Sequence, residues 1–149
     1  IVHEINFNET FYCWKNGGAW LNGKRIHVSK TDKLQHALLA TGFPYTNYSR
    51  MEEYMKVFDY CMRNTRGLRR LGSAAADLAY TACGRLDGFF EYGLNSWDVA
   101  GGALLVKEAG GKVADFSGGN NFIFGEEIVA CNSGTFEEFM EVINRSFKQ

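Results

Sequence analysis

The sequence predicts a layered α/β fold: a mixed β-sheet covered by helices, entered through an N-terminal β-meander. From residue 65 onward, apolar strand runs and helical patterns follow one another as strand, helix, strand, helix, strand, strand, helix. That alternation is the signature of a sheet with helices packed on it. Upstream, Asn16-Gly17-Gly18 and Asn22-Gly23 separate short alternating runs, and Asn-Gly is the strongest local hairpin signal, because both turn residues must accept positive φ. The 149 residues, 46% of them hydrophobic, supply one core of ordinary size.

The meander is expected from the runs Ile1–Phe7, Phe11–Trp14, Trp20–Leu21 and Arg25–Val28. Leu34–Thr41 reads as an apolar strand ending at Gly42, although its Ala/Leu content also suits a short helix. Ser49 and Glu52 have capping-box spacing ahead of a helix over 52–63, whose stripe would be Met51, Tyr54, Met55, Phe58, Cys61 and Met62. Leu68–Leu71 is a strand candidate, and Gly72-Ser73 opens an Ala-rich helix that stops at Gly84. Gly88–Tyr92 is the next strand, and Asn95 or Ser96 caps a helix over 97–109. Strands at Lys112–Phe116 and Ile128–Cys131 follow. Thr135 and Glu138 set a second capping box for a closing helix whose stripe is Phe136, Phe139, Met140, Ile143 and Phe147.

Composition excludes several function classes. With 16 Lys+Arg against 17 Asp+Glu, there is no basic excess for general binding to nucleic acid or a membrane surface. No apolar run approaches the ~18–20 residues of a membrane span. Cys13, Cys61, Cys83 and Cys131 form no Cys-x-x-Cys pair, and no His stands at zinc spacing. Four scattered cysteines fit reduced, mostly buried thiols and a cytoplasmic protein. His3, His27 and His36 assemble no nucleophile constellation.

Three short segments carry chemistry. Gly101-Gly102, early in a helix, gives up about 2 kcal/mol of propensity against two alanines, so close approach of backbone or ligand is expected there. Asp98, in the first turn of the same helix, sits near the carboxyl edge of the sheet, where α/β sites collect; complementing the helix dipole is its simpler reading. Gly72-Ser73-Ala74 leaves backbone N–H groups free at a helix entrance, a natural cradle for a phosphate or oxyanion, though Ser73 also suits a plain N-cap. Glu91, set among Phe89, Phe90 and Tyr92, is either a solvated edge acid or an acceptor for hydroxyl groups.

Gly72-Ser73-Ala74-Ala75, Gly84-Arg85-Leu86-Asp87-Gly88-Phe89-Phe90-Glu91, Trp97-Asp98-Val99-Ala100-Gly101-Gly102 and Glu108-Ala109-Gly110-Gly111 together resemble the C-terminal half of the inositol monophosphatase family. Gly18–Gly23 and Thr41–Pro44 are also similar to it. The resemblance runs the length of the chain. It implies that Asp98 is a catalytic divalent-metal ligand, usually for Mg²⁺. It also implies that Gly72, Ser73, Ala74 and Asp98 lie against the substrate and that Glu91 contacts a substrate hydroxyl.

The activity implied is Mg²⁺-dependent hydrolysis of a phosphate monoester of inositol or a related sugar. The same fold acting as a 3′-phosphoadenosine nucleotidase, fructose bisphosphatase or histidinol phosphatase is the alternative. Family resemblance further implies a homodimer and a small phosphorylated substrate, while the balanced charge argues against a nucleic-acid or membrane partner.

One departure matters. The family's remaining metal ligands come from a Glu-Glu segment and an Asp-Pro-x-Asp-Gly-Thr segment, which this chain lacks. Glu52-Glu53 and Glu126-Glu127 are poor substitutes, being placed at a helix start and in a late loop, and Asp87-Gly88 has no Asp-Pro before it. With its start at Ile1-Val2-His3, the chain reads as the C-terminal part of a longer phosphatase. Residues 1–45 would end an N-terminal β region and residues 46–149 would form the α/β domain. Such a chain alone is expected to be inactive, and a catalytically inactive interaction module is the non-enzymatic alternative.

Overall fold

The computed structural model describes residues 1–147. The meander forms as expected: β1 (Val2–Glu4), β2 (Glu9–Cys13), β3 (Ala19–Leu21) and β4 (Lys24–Ile26) pair antiparallel in chain order. Asn22 and Gly23 both take positive φ, 47° and 80°, which closes the β3–β4 hairpin with the right twist. β1 is shorter than the run Ile1–Phe7. The Glu4 carboxylate accepts the backbone N–H groups of Asn6 and Phe7, so the chain turns where the alternation still reads as strand.

A second sheet follows. Its strands are β5 (Leu38–Thr41), β6 (Gly67–Arg69), β7 (Gly88–Tyr92), β8 (Lys112–Ala114) and β9 (Glu127–Cys131), in the spatial order β6-β5-β7-β9-β8. β5 runs parallel to β6 and β7, whereas β9 is antiparallel to β7 and β8. The sheet is therefore mixed, as predicted. Four helices cover it: α1 (Met51–Asn64), α2 (Ala74–Ala82), α3 (Ser96–Glu108) and α4 (Phe136–Phe147).

Side-chain alternation along the central strands divides the core in two. One cluster holds Phe89, Ala40 and Ile128 with α2, α3 and Phe11 of the meander. The other holds Phe90, Leu39 and Val129 with α1 and α4. The layers thus run meander, α2/α3, second sheet, α1/α4. Meander and helices are also locked by polar contacts. Arg85 grips the Glu9 carboxylate with two nitrogens at 2.6 and 2.5 Å. Glu108 accepts the backbone N–H groups of Asn16 and Gly18 at 2.8 and 2.9 Å.

Several local expectations are corrected. Leu34–His36 is a 3₁₀ turn, and only Leu38–Thr41 is strand. Ser49 does not cap α1: its hydroxyl turns back to Asn47, and Arg50 is the residue at the cap. Of the stripe on α1, Tyr54 and Cys61 are buried together with Val57, but Met55 and Met62 are about half exposed. β6 begins one residue before Leu68 and ends at Arg69. β8 stops at Ala114 because Asp115 starts a turn, its carboxylate accepting N–H groups from Ser117, Gly119 and Asn121. The Thr135/Glu138 box is replaced by bonds to other partners. The Glu138 carboxylate accepts the Leu34 N–H, and the Thr135 hydroxyl donates to Asn132.

Cys13, Cys61, Cys83 and Cys131 are all free, with Cys61 and Cys131 buried. Among the described residues no helix is long and apolar enough to cross a membrane.

Candidate active site

β7 determines where Glu91 goes. Phe90 and Tyr92 face α1 and α4, while Phe89 faces α2 and α3. Glu91 shares the face of Phe89 by the two-residue period of a strand. Its carboxylate is thereby carried to the place where the N-termini of α2 and α3 converge. There, Gly72, Ser73, Ala74, Glu91 and Asp98 line one cleft of about 360 Å³. All five candidate residues thus meet at one place. A neighbouring cleft of about 470 Å³ continues past Ser73 and Asp98 along β1.

Gly72 makes the turn into α2 with φ at +98°, a conformation that costs an L-residue strain. Ser73 occupies the N-cap position, its hydroxyl accepting the Ala76 N–H at a long 3.4 Å. The N–H groups of Ala74 and Ala75, in the first turn, have no carbonyl of their own helix to bond. They lie at the positive end of the helix dipole, beside the cleft.

Asp98 combines its two readings. One carboxylate oxygen, Oδ2, accepts the Asn95 N–H at 2.9 Å and so caps α3. Oδ1 makes no hydrogen bond among the described residues, and the side chain borders both clefts. This donor suits one hard-oxygen position of a Mg²⁺ site. The described residues contain no group of three or more His, Cys, Asp or Glu that would complete a cage. Asp98 therefore fits as one ligand of such a site and not as the whole of it.

Glu91 is buried, 7% exposed, and its carboxylate has no hydrogen-bond partner among the described residues. Burial, helped by the negative charges of Asp77 and Asp98 and opposed by Arg70, raises its pKa to about 7. Asp77, from the second position beyond Ala75 in α2, is an acid that sequence reasoning missed. It is 1% exposed with Oδ1 unpartnered, and burial pushes it up to about 7 despite Arg70. Inside an Ala-rich helix, nothing in the local pattern separated it from a solvated Asp.

The close approach expected at Gly101-Gly102 is of two kinds. A Cβ on Gly102 would stand 2.5 Å from the Cβ of Leu78, so this glycine lets α3 rest on α2. Gly101 faces the larger cleft, with nothing closer than 3.8 Å. Arg70 lies over the Gly72 turn, donates to the Tyr45 hydroxyl at 2.7 Å and stacks on Phe43. It places a guanidinium at the rim of the smaller cleft, which Tyr45 also lines.

Two helix N-termini and a buried carboxylate thus surround one cleft of a layered α/β protein. The sequence profile of the inositol monophosphatase family matches residues 1–149, and the chain belongs to that family. It is 44% identical over 137 residues to the Nus factor SuhB of Pseudomonas aeruginosa, covering 91% of this chain and 51% of that protein. It is 46% identical over 132 residues to the Nus factor SuhB of Escherichia coli K12, covering 89% and 49%. Among solved structures, SuhB of Bartonella henselae superposes with a TM-score of 0.88 at 37% identity, covering 93% of this chain and 53% of that one. The Anabaena inositol monophosphatase gives 0.86 at 35%, covering 96% and 57%. The chain spans about half the length of the relatives it matches.

Proposed function

We propose that this chain forms the substrate-facing half of a Mg²⁺-dependent phosphatase that hydrolyses phosphate monoesters of inositol or a related polyol. The observation that carries the reading is the meeting of Gly72, Ser73, Ala74, Glu91 and Asp98 around one cleft. Together they supply three different requirements of the reaction. The free N–H groups after Ser73 hold anionic phosphate oxygens without a net charge of their own. Glu91, when ionised, accepts hydrogen bonds from hydroxyl groups next to the ester, which favours a polyol over a phosphate that lacks them. Asp98 offers Oδ1 as a ligand while Oδ2 keeps the side chain fixed to the helix start.

Mg²⁺ bound there would polarise the phosphoryl group and lower the pKa of a bound water. A single carboxylate holds Mg²⁺ weakly, so the isolated chain is expected to show little or no turnover. The full-length protein carrying this chain should release phosphate from inositol monophosphate in the presence of Mg²⁺, and Asp98→Asn should remove most of that activity. Undiminished turnover in Asp98→Asn overturns the assignment. Comparing inositol monophosphate with 3′-phosphoadenosine nucleotides, fructose bisphosphate and histidinol phosphate ranks the substrate classes.

A second reading draws on the name borne by the relatives at 44% and 46% identity, Nus factor. In it, the chain serves through its surface and hydrolysis is dispensable. Cells in which Asp98→Asn replaces the wild-type protein separate the two: full function without phosphatase activity favours the second.

A further inference from the structure

The Glu91 carboxylate rests on Gly42. Thr41 at the end of β5 pairs in register with Phe90 of β7, so Gly42 comes beside Glu91 on the same face of the sheet. A Cβ built on Gly42 would lie 2.1 Å from Cδ, Oε1 and Oε2 of Glu91 alike. The whole carboxyl group thus occupies the space that any other residue at 42 would fill. The backbone at this point is itself pinned. The Tyr54 hydroxyl donates to the Gly42 carbonyl and lies against the Thr41 hydroxyl. The Thr41 hydroxyl in turn donates to the Phe90 carbonyl at 2.7 Å.

Tyr54 reaches this position from α1, on the opposite side of the sheet from the cleft. It is 1% exposed and wedged against Phe90 and Tyr92, with ring centroids 5.5 and 5.3 Å away. A buried phenol is costly unless bonded. Here its hydroxyl holds the Gly42 carbonyl and lies against Thr41, which ties that strand end to Phe90, the residue preceding Glu91.

We propose that Gly42 and Tyr54 are positioning residues for Glu91, Gly42 by vacating the carboxylate's seat and Tyr54 by fixing the height of that seat in the sheet. The inference rests on the reading of Glu91 as the acceptor for a substrate hydroxyl. Both residues act through Glu91, and neither lines the cleft.

The test measures kcat and KM of the full-length protein for inositol monophosphate and for p-nitrophenyl phosphate, which has no hydroxyl for Glu91 to bind. The preference between the two reports the Glu91 contact. Glu91→Gln provides the reference loss. Gly42→Ala should lower the preference by at least about tenfold, mainly through KM for inositol monophosphate, and Tyr54→Phe should lower it severalfold in the same direction. Melting temperatures of Gly42→Ala, Glu91→Ala and the double variant form the structural arm. The double variant should recover most of the stability lost in Gly42→Ala, because the added Cβ then meets no carboxyl group.

A double variant no more stable than Gly42→Ala overturns the proposal. So does an unchanged preference in both Gly42→Ala and Tyr54→Phe while Glu91→Gln loses it. If Glu91→Gln itself keeps the preference, the hydroxyl-acceptor reading fails, and this inference with it.

Discussion

The side chain of Leu78 in α2 fills the space that a Cβ on Gly102 in α3 would need, its own Cβ standing 2.5 Å from that position. This contact fixes how closely α2 and α3 approach, and hence how far Asp98 stands from the Gly72–Ala74 turn. The adjacent Gly101 is not constrained in the same way, its nearest neighbours being 3.8 Å off. Gly102→Ala should therefore destabilise the protein by about 1–3 kcal/mol through overpacking. Gly101→Ala should be neutral or stabilising by up to about 1 kcal/mol, from helix propensity. Urea unfolding of the two variants reads the difference, and equal midpoints would contradict it.

Asp77 and Glu91 make stability depend on pH with a definite sign. Both have folded-state pKa values near 7, against 3.8 and 4.5 for the free side chains. The folded protein therefore keeps protons that the unfolded chain releases between about pH 4 and pH 7. Their contribution declines as pH rises through that window and is flat above it. Asp77→Asn removes one titration and takes a neighbouring negative charge from Glu91. Relative to wild type, its unfolding free energy should climb with pH by roughly 1.4 kcal/mol per unit across the window. Urea midpoints from pH 4.5 to 8 measure it, and parallel curves for the two proteins count against a raised Asp77.

The partly buried polar cluster at the exit of the meander gives a third prediction. Asp87 accepts the Ser29 hydroxyl at 2.5 Å and the Leu38 N–H at 2.6 Å, and Asn132 donates to Ser29 at 2.6 Å. Asp87→Ala strands the Leu38 N–H and the Ser29 hydroxyl together. Ser29→Ala takes one donor from Asp87, whose bond to Leu38 survives, and takes the acceptor from the Asn132 amide. Removing a partner from buried donors costs about 1–3 kcal/mol for each group left unpaired. Asp87→Ala and Ser29→Ala should thus destabilise the protein by comparable amounts, about 2–4 kcal/mol each in chemical denaturation, and a Ser29→Ala protein as stable as wild type would show that Asn132 and Asp87 find other partners.

Local sequence pattern is informative for some parts of this fold and silent for others. β7 could be read residue for residue from Gly88–Tyr92, because a run buried on both faces of a sheet carries its own signal. The Gly72-Ser73 entrance to α2 was readable because cap and turn chemistry act over three or four residues. By contrast, Thr135 and Glu138 satisfy the capping-box pattern, yet the structure uses the Glu138 carboxylate for Leu34, 104 residues away. Met55 and Met62 fit the helical period of α1, but the groove under that helix is filled by Val57 between Tyr54 and Cys61. Glu91 could be singled out by its aromatic neighbours. Its seat on Gly42 could not, since it depends on the register of two strands that no local pattern encodes.

Gly72 offers the last prediction, because it separates the shape of the cradle from the stability of the fold. Its φ of +98° places it where L-residues pay strain, roughly 1–2 kcal/mol. A Cβ there would also come 3.1 Å from a guanidinium nitrogen of Arg70, the far end of a flexible side chain that can give way. The residue is exposed and stands just outside α2. Gly72→Ala should therefore leave the core intact, with a stability loss of no more than about 2 kcal/mol. The turn relieves its strain by moving, and it carries the N–H groups of Ala74 and Ala75 with it. Inhibition of the full-length protein by inorganic phosphate should weaken at least tenfold in Gly72→Ala, with the melting temperature lowered by only a few degrees. Phosphate inhibition at wild-type strength in a folded Gly72→Ala protein would mean that the anion is held elsewhere than at the start of α2.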